Sequence, residues 1–115
     1  MDPSPIDLAI FTELRENVGA EFAIELVDTF LEEAPGILAE LRTALAASDA
    51  VAYRRAAHSL KSNGATFGAV TLAGMARDAE LGGFAGDPVN DAAVVDAIND
   101  AYVAAAAKLS TLSRG

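Results

Sequence analysis

Cysteine is missing from all 115 residues, which removes any disulfide framework, thiolate nucleophile or Cys-ligated zinc site. Histidine occurs once, as His58, too few for the usual zinc ligand sets, and no Glu-x-x-His pair is available for a di-iron bundle. Aromatic residues make up only 6 % and no segment of any length alternates with a strand period, so an alanine-rich, closely packed helical domain is favoured over a sheet. Basic residues are scarce as well. Eight Lys and Arg stand against seventeen Asp and Glu, a net charge of −9. That balance argues against general nucleic-acid binding, which is carried by Lys and Arg on phosphates, and against adsorption to an anionic membrane surface. No glycine-rich loop follows a strand, so the sequence offers no nucleotide cradle and no ATP site. The N-terminus has no basic stretch followed by an apolar run, and no window has the length of a membrane span. A cytoplasmic, soluble, single domain over residues 1–115 with one core is the expectation.

What is present is helical periodicity. Ser4 and Pro5 read as a helix start, with Asp7 in the first turn and Gly19 at the end. From Glu21 to Ala47 the apolar positions Ala23, Leu26, Phe30, Ile37, Leu41 and Leu45 share a face that keeps its phase across Pro35, which predicts one kinked helix. Ser48-Asp49 caps a third helix to about Thr66, with Tyr53, Ala57 (or Ala56), Leu60, Gly64 and Phe67 inward. A fourth follows almost at once, from about Ala69 to Leu81, with Leu72, Ala73, Ala76 and Ala79 inward, so the two are antiparallel neighbours. Gly82 to Asn90 is a loop. Asn90 or Asp91 then caps a last helix whose Val95, Ile98, Tyr102, Ala105, Leu109 and Leu112 form a bundle seam. The predicted fold is all-α, an antiparallel four-helix bundle with a short additional N-terminal helix.

One stretch reverses the charge balance. Between Ala50 and Arg77 there is no acid and there are four bases, Arg54, Arg55, Lys61 and Arg77, so this segment is +4 and the remainder −13. At 100° per residue, Val51, Arg54, Arg55, His58, Lys61, Ser62 and Ala65 lie away from the core face of the third helix. A neutral imidazole nitrogen is a good nucleophile toward phosphorus near neutral pH, and Lys61, one turn on, is placed to neutralise part of the phosphoryl charge. Taken singly these residues are unremarkable: a lone surface histidine is usually just solvated, and Arg54 and Arg55 are ordinary charges that tune the patch. Glycine in a helix interior costs about 1 kcal/mol relative to alanine, so Gly64 has either a packing or a docking reason.

The run His58-Ser59-Leu60-Lys61-Ser62-Asn63-Gly64-Ala65-Thr66-Phe67-Gly68-Ala69 strongly resembles the signature of histidine phosphotransfer (HPt) domains. Ala57, His58, Leu60, Lys61 and Gly68, ten positions after the histidine, fit the pattern, while Ser62 stands where glycine is common. Phe30 to Pro35, with Leu41, Ala44 and Asp49, resembles the family's long second helix. The likeness runs from about Asp7 to Leu81, and the last helix fits only by length and seam. The resemblance implies that His58 is the phosphoacceptor, that Lys61 stabilises the phosphoryl charge, and that Glu80 holds the imidazole from the following helix, although Glu80 is equally placed to pair with Arg77 one turn away. It implies a phosphocarrier in a two-component phosphorelay, taking a phosphoryl group from a receiver-domain aspartate and passing it to another. The partners implied are response-regulator receiver domains or a hybrid histidine kinase, and the receiver supplies the acid residues and the Mg²⁺. Arg54, Arg55, Ser62, Gly64, Ala65 and Gly68 are the candidate partner-binding residues. The same residues leave open a helical module that docks a signalling partner without carrying phosphate.

Overall fold

The structure, a computed structural model, describes residues 5–83 and 87–114. It contains α1 (Leu8–Val18), α2 (Ala20–Ala46), α3 (Ala50–Thr66), α4 (Val70–Gly82) and α5 (Pro88–Arg114), with no strand among the described residues. The last four close a bundle in which α2 packs on α3 and α5, and α4 packs on α3 and α5, while α1 lies against α2 and α3. No helix among the described residues is long and apolar enough to cross a membrane.

Helix starts differ from expectation at both ends of the chain, for one reason. Asp7 is not in the first turn of α1 but caps it, its carboxylate accepting from the backbone N–H of Ala9 at 3.0 Å and of Ile10 at 3.4 Å. Ser4 lies outside the described residues. Asp87 does the same for α5, accepting from Val89 at 3.1 Å and Asn90 at 3.4 Å, so neither Asn90 nor Asp91 is the cap. In each case an aspartate upstream offers a short acceptor to the free N–H groups of the first turn. Ile6 before the first cap and Phe11 within α1 are both in the core, the apolar pairing that fixes the angle at which a chain enters a helix. Asp91 is instead buried, at 6 % exposure, and its charge together with burial pushes the Tyr53 hydroxyl above its ordinary value, burial being the larger cause.

α2 runs unbroken through Pro35. Its buried seam is Ala23, Val27, Phe30, Ala34, Leu38, Leu41 and Ala44. Leu26, Ile37 and Leu45, expected at the centre, lie on the flanks, only partly buried. α2 touches both α3 and α5, so its buried face is set by two neighbours, with small Ala34 and Ala44 and large Val27, Phe30, Leu38 and Leu41 all enclosed. Phe30 anchors the core, stacked on Phe67 at 5.1 Å between ring centroids and edge-on to Tyr102 at 5.7 Å.

Both ends of the site helix are set by the same turn. At the end of α2, Ser48 N–H bonds to Leu45 and Asp49 N–H to Ala44. At the end of α3, Gly68 N–H bonds to Ala65 and Ala69 N–H to Gly64. This is the Schellman pattern, whose central residue takes a left-handed backbone. Ser48 has φ 55° and Gly68 has φ 80°. The first turn releases the chain into α3, where Asp49 caps by accepting from Ala52 at 3.0 Å. The second reverses it directly into α4, which is why residues far apart on α3 and α4 face one another.

Candidate functional site

The inward stripe of α3 is as expected: Tyr53, Ala57, Leu60, Gly64 and Phe67 are buried, with Ala56. Fixing that face fixes the opposite one. Arg54, Arg55, His58, Ser62 and Ala65 are exposed, and Lys61 is partly so. The His58 side chain keeps 58 % of its surface in solvent, well within reach of a visiting protein.

The antiparallel return of α4 brings Glu80 to this face. The His58 Nδ1–H donates to Glu80 Oε1 at 2.9 Å, although 22 residues separate them. A carboxylate only accepts, so Nδ1 carries a ring proton, and in the neutral imidazole the lone pair is on Nε2. Among the described residues nothing hydrogen-bonds Nε2. The second carboxylate oxygen, Oε2, sits 2.9 Å from Lys61 Nζ. That contact is an ion pair at close range, and Oε2 itself is shielded from solvent. Lys61 first and His58 second hold the Glu80 carboxyl below its ordinary value, so it is the anionic form that orients the ring.

The residues read from the sequence therefore divide. His58, Lys61 and Glu80 come together. The alternative pairing of Glu80 with Arg77 does not occur, since the carboxylate points across to α3. What residue reading missed was that one carboxylate touches both the ring and the lysine. The signal was available: His58 and Lys61 are three apart on one face, so a single acid arriving from a neighbouring helix meets both. Arg54 leans toward the C-terminal end of α4, where a side chain added at Gly83 would meet its guanidinium at 3.3 Å, a favourable place for a cation. Arg55 faces the groove between α2 and α3 with Glu40 and Asp49.

Gly64 and Gly68 are corrected as partner-binding residues, because both are buried within the chain. Gly64 packs against the start of α4, where an added Cβ would lie 3.5 Å from Ala69 O, Ala73 N and Leu72 Cδ2. Gly68 receives α1: its carbonyl accepts from Asp7 N–H at 2.7 Å, and a Cβ there would fall 2.7 Å from Asp7 O. Ser62 and Ala65 remain on the surface beside His58.

Known proteins bear on this geometry. No curated protein matches the chain. A solved structure does, the crystal structure of histidine-containing phosphotransfer protein B (HptB) from Pseudomonas aeruginosa PAO1. It is 26 % identical, with a TM-score of 0.87 over 98 % of this chain and 97 % of that one. The Hpt domain model matches residues 25–108. That span holds the whole His58–Glu80–Lys61 arrangement and most of α5, which residue patterns tied to the family only by length and seam. With more than half its length matched and its bundle superimposing on HptB from end to end, this chain belongs to the Hpt domain family, the phosphocarriers of two-component phosphorelays.

Proposed function

We infer that His58 takes a phosphoryl group from the aspartyl phosphate of a receiver domain and passes it to the aspartate of another, working in the cytoplasm with response-regulator receivers or a hybrid histidine kinase. The observation that carries this reading is the exposed imidazole held through Nδ1 by Glu80, which leaves the Nε2 lone pair without a protein partner among the described residues. In the forward step Nε2 bonds to phosphorus as the bond from phosphorus to the receiver's acyl oxygen breaks, and the aspartate carboxylate leaves with that electron pair. The ring keeps its Nδ1 proton on Glu80 throughout. After transfer the ring stays oriented by Glu80, and Lys61, which in the resting chain lies on the same carboxylate one turn along α3, offsets phosphoryl charge. Onward transfer is the same step reversed on a second receiver, with neutral imidazole as the leaving group. The family resemblance assigns the acid residues and the Mg²⁺ to the receiver. Among the described residues of this chain, no group of three or more His, Asp or Glu could hold a metal ion. Arg54, Arg55, Ser62 and Ala65 surround His58 on its open side and supply the rim of a docking surface.

The test is incubation with a panel of receiver domains carrying labelled phosphate. The expected result is acid-labile, base-stable label on the wild-type chain, none on His58→Gln, and none on either from ATP alone. The substituted protein should keep its stability within about 0.5 kcal/mol, because an exposed side chain contributes little packing. Stoichiometric binding of receivers with no label on the wild-type chain would overturn the reading and favour a docking module.

A further inference from the structure

The imidazole of His58 and the ammonium of Lys61 share one carboxylate. Glu80 gives Oε1 to the ring and Oε2 to the lysine, both at 2.9 Å. Oε2 is out of contact with solvent, and the Lys61 ammonium at 2.9 Å is what offsets its charge. Among the described residues no other cation pairs with it: Arg54 and Arg55 on α3 and Arg77 on α4 make no ion pair with Glu80. A phosphoryl group on Nε2 brings new negative charge to the same small region, and the one ammonium that offsets Oε2 is then drawn toward a second, more highly charged anion.

We propose that the Lys61–Glu80 ion pair is a latch on the phosphorylation site: Lys61 leaves Glu80 for the phosphoryl group, and the shielded carboxylate left behind biases that group to move on. The proposal rests on His58 being the acceptor. It explains what a carboxylate does here that an amide of the same shape would not. A glutamine at position 80 would still accept from Nδ1–H and orient the ring. It would neither hold the lysine in the resting state nor repel the phosphoryl group once attached. The carboxylate therefore trades tenure of the phosphoryl group for readiness to pass it on, the behaviour of a relay and not of a store.

An exchange reaction isolates this effect from any receiver. With N-phosphoimidazole as donor, Nε2 bonds to phosphorus as the donor's nitrogen–phosphorus bond breaks and free imidazole leaves with the electron pair. The bond made and the bond broken are of one kind, so the protein surroundings set the equilibrium. The full-length chain and its Glu80→Gln, Lys61→Ala and doubly substituted forms are compared by ³¹P NMR. Glu80→Gln should move the equilibrium toward phosphorylated His58 by about three- to tenfold, the scale of an ion-pair energy. The same substitution in the Lys61→Ala background should move it by distinctly less, since no latch remains to be opened. The Lys61 Nζ signal of the unphosphorylated wild type should shift on phosphorylation, and Glu80→Gln should shift it in advance. An equilibrium unmoved by Glu80→Gln, or moved equally in both backgrounds, overturns the latch and leaves the acceptor reading intact. A wild-type chain that takes label neither from receivers nor from phosphoimidazole overturns both.

Discussion

Along α3, Tyr53, Ala56, Ala57, Leu60 and Gly64 are buried, while Arg54, Arg55, His58, Ser62 and Ala65, a residue or two away, are open to solvent. The first set is constrained by volume: this face of α3 packs against α2 and α4, and little can change without leaving a void or an overlap. The second set is free of that constraint. A histidine whose ring is mostly in solvent has no packing reason to be there, and neither does a carboxylate from α4 arranged to meet it. The contrast teaches that stability and chemistry are carried on opposite sides of one helix and can be altered separately. Loss of label with unchanged stability in His58→Gln is one half of that claim.

Leu60→Ala is the other half. Leu60 is 0 % exposed, and truncation of such a side chain costs about 2–5 kcal/mol from lost burial and the remaining cavity. Denaturant unfolding should show that loss, while the fraction of molecules still folded takes label at His58. A label lost in proportion to nothing but folding sharpens the comparison; a label lost from fully folded protein breaks it.

The two glycines of the signature are both buried, yet they should respond oppositely. Gly68→Ala places a Cβ in a left-handed backbone and drives it 2.7 Å from Asp7 O, a backbone atom that cannot swing aside. About 2–4 kcal/mol of destabilisation is expected from strain and overpacking together. Because Gly68 O also receives Asp7 N–H, proteolysis should open the α1 end first. The effect of Gly64→Ala is smaller. Its new Cβ would sit at ordinary contact distances of 3.5 Å, and alanine is the better helix former by about 1 kcal/mol, so the melting temperature should hold or rise slightly.

On the outer face the expected pH effect is modest and has a definite sign. The folded chain holds the Glu80 carboxyl below its ordinary value, so the ion pair and ring contact contribute stability that is present above the usual carboxylate range. That contribution is lost as pH falls through the lowered value. Acid titrations of stability should therefore be steeper for the wild type than for Glu80→Gln in that window, with the two parallel at neutral pH. Identical acid limbs would mean that Glu80 contributes nothing to the folded state beyond orienting the ring.

Much of this was legible from residues alone where the signal is local. The period of three and four in α3 and α5 and the aspartate before α3 gave correct elements and, on α3, the correct faces. Local reading failed where competing local signals were close in strength. Asp7 and Asp87 won the helix starts over Ser4 and over Asn90 or Asp91, because several acceptors stood within a turn of each start and spacing does not rank them. The face of α2 was displaced toward Val27, Ala34 and Leu38, because two neighbours, not one, define what is inside.

The sequence by itself determined that the protein is a helical bundle with one imidazole on a basic stripe, since helical period, side-chain type and charge run are properties of contiguous residues. Only the tertiary structure decided that Glu80 bridges His58 and Lys61, that it does so in preference to Arg77, and that Gly64 and Gly68 face inward. Those facts depend on how closely and at what rotation α4 and α1 come to rest against α3, and that is fixed by the summed packing of all the helices and written in no single stretch of chain.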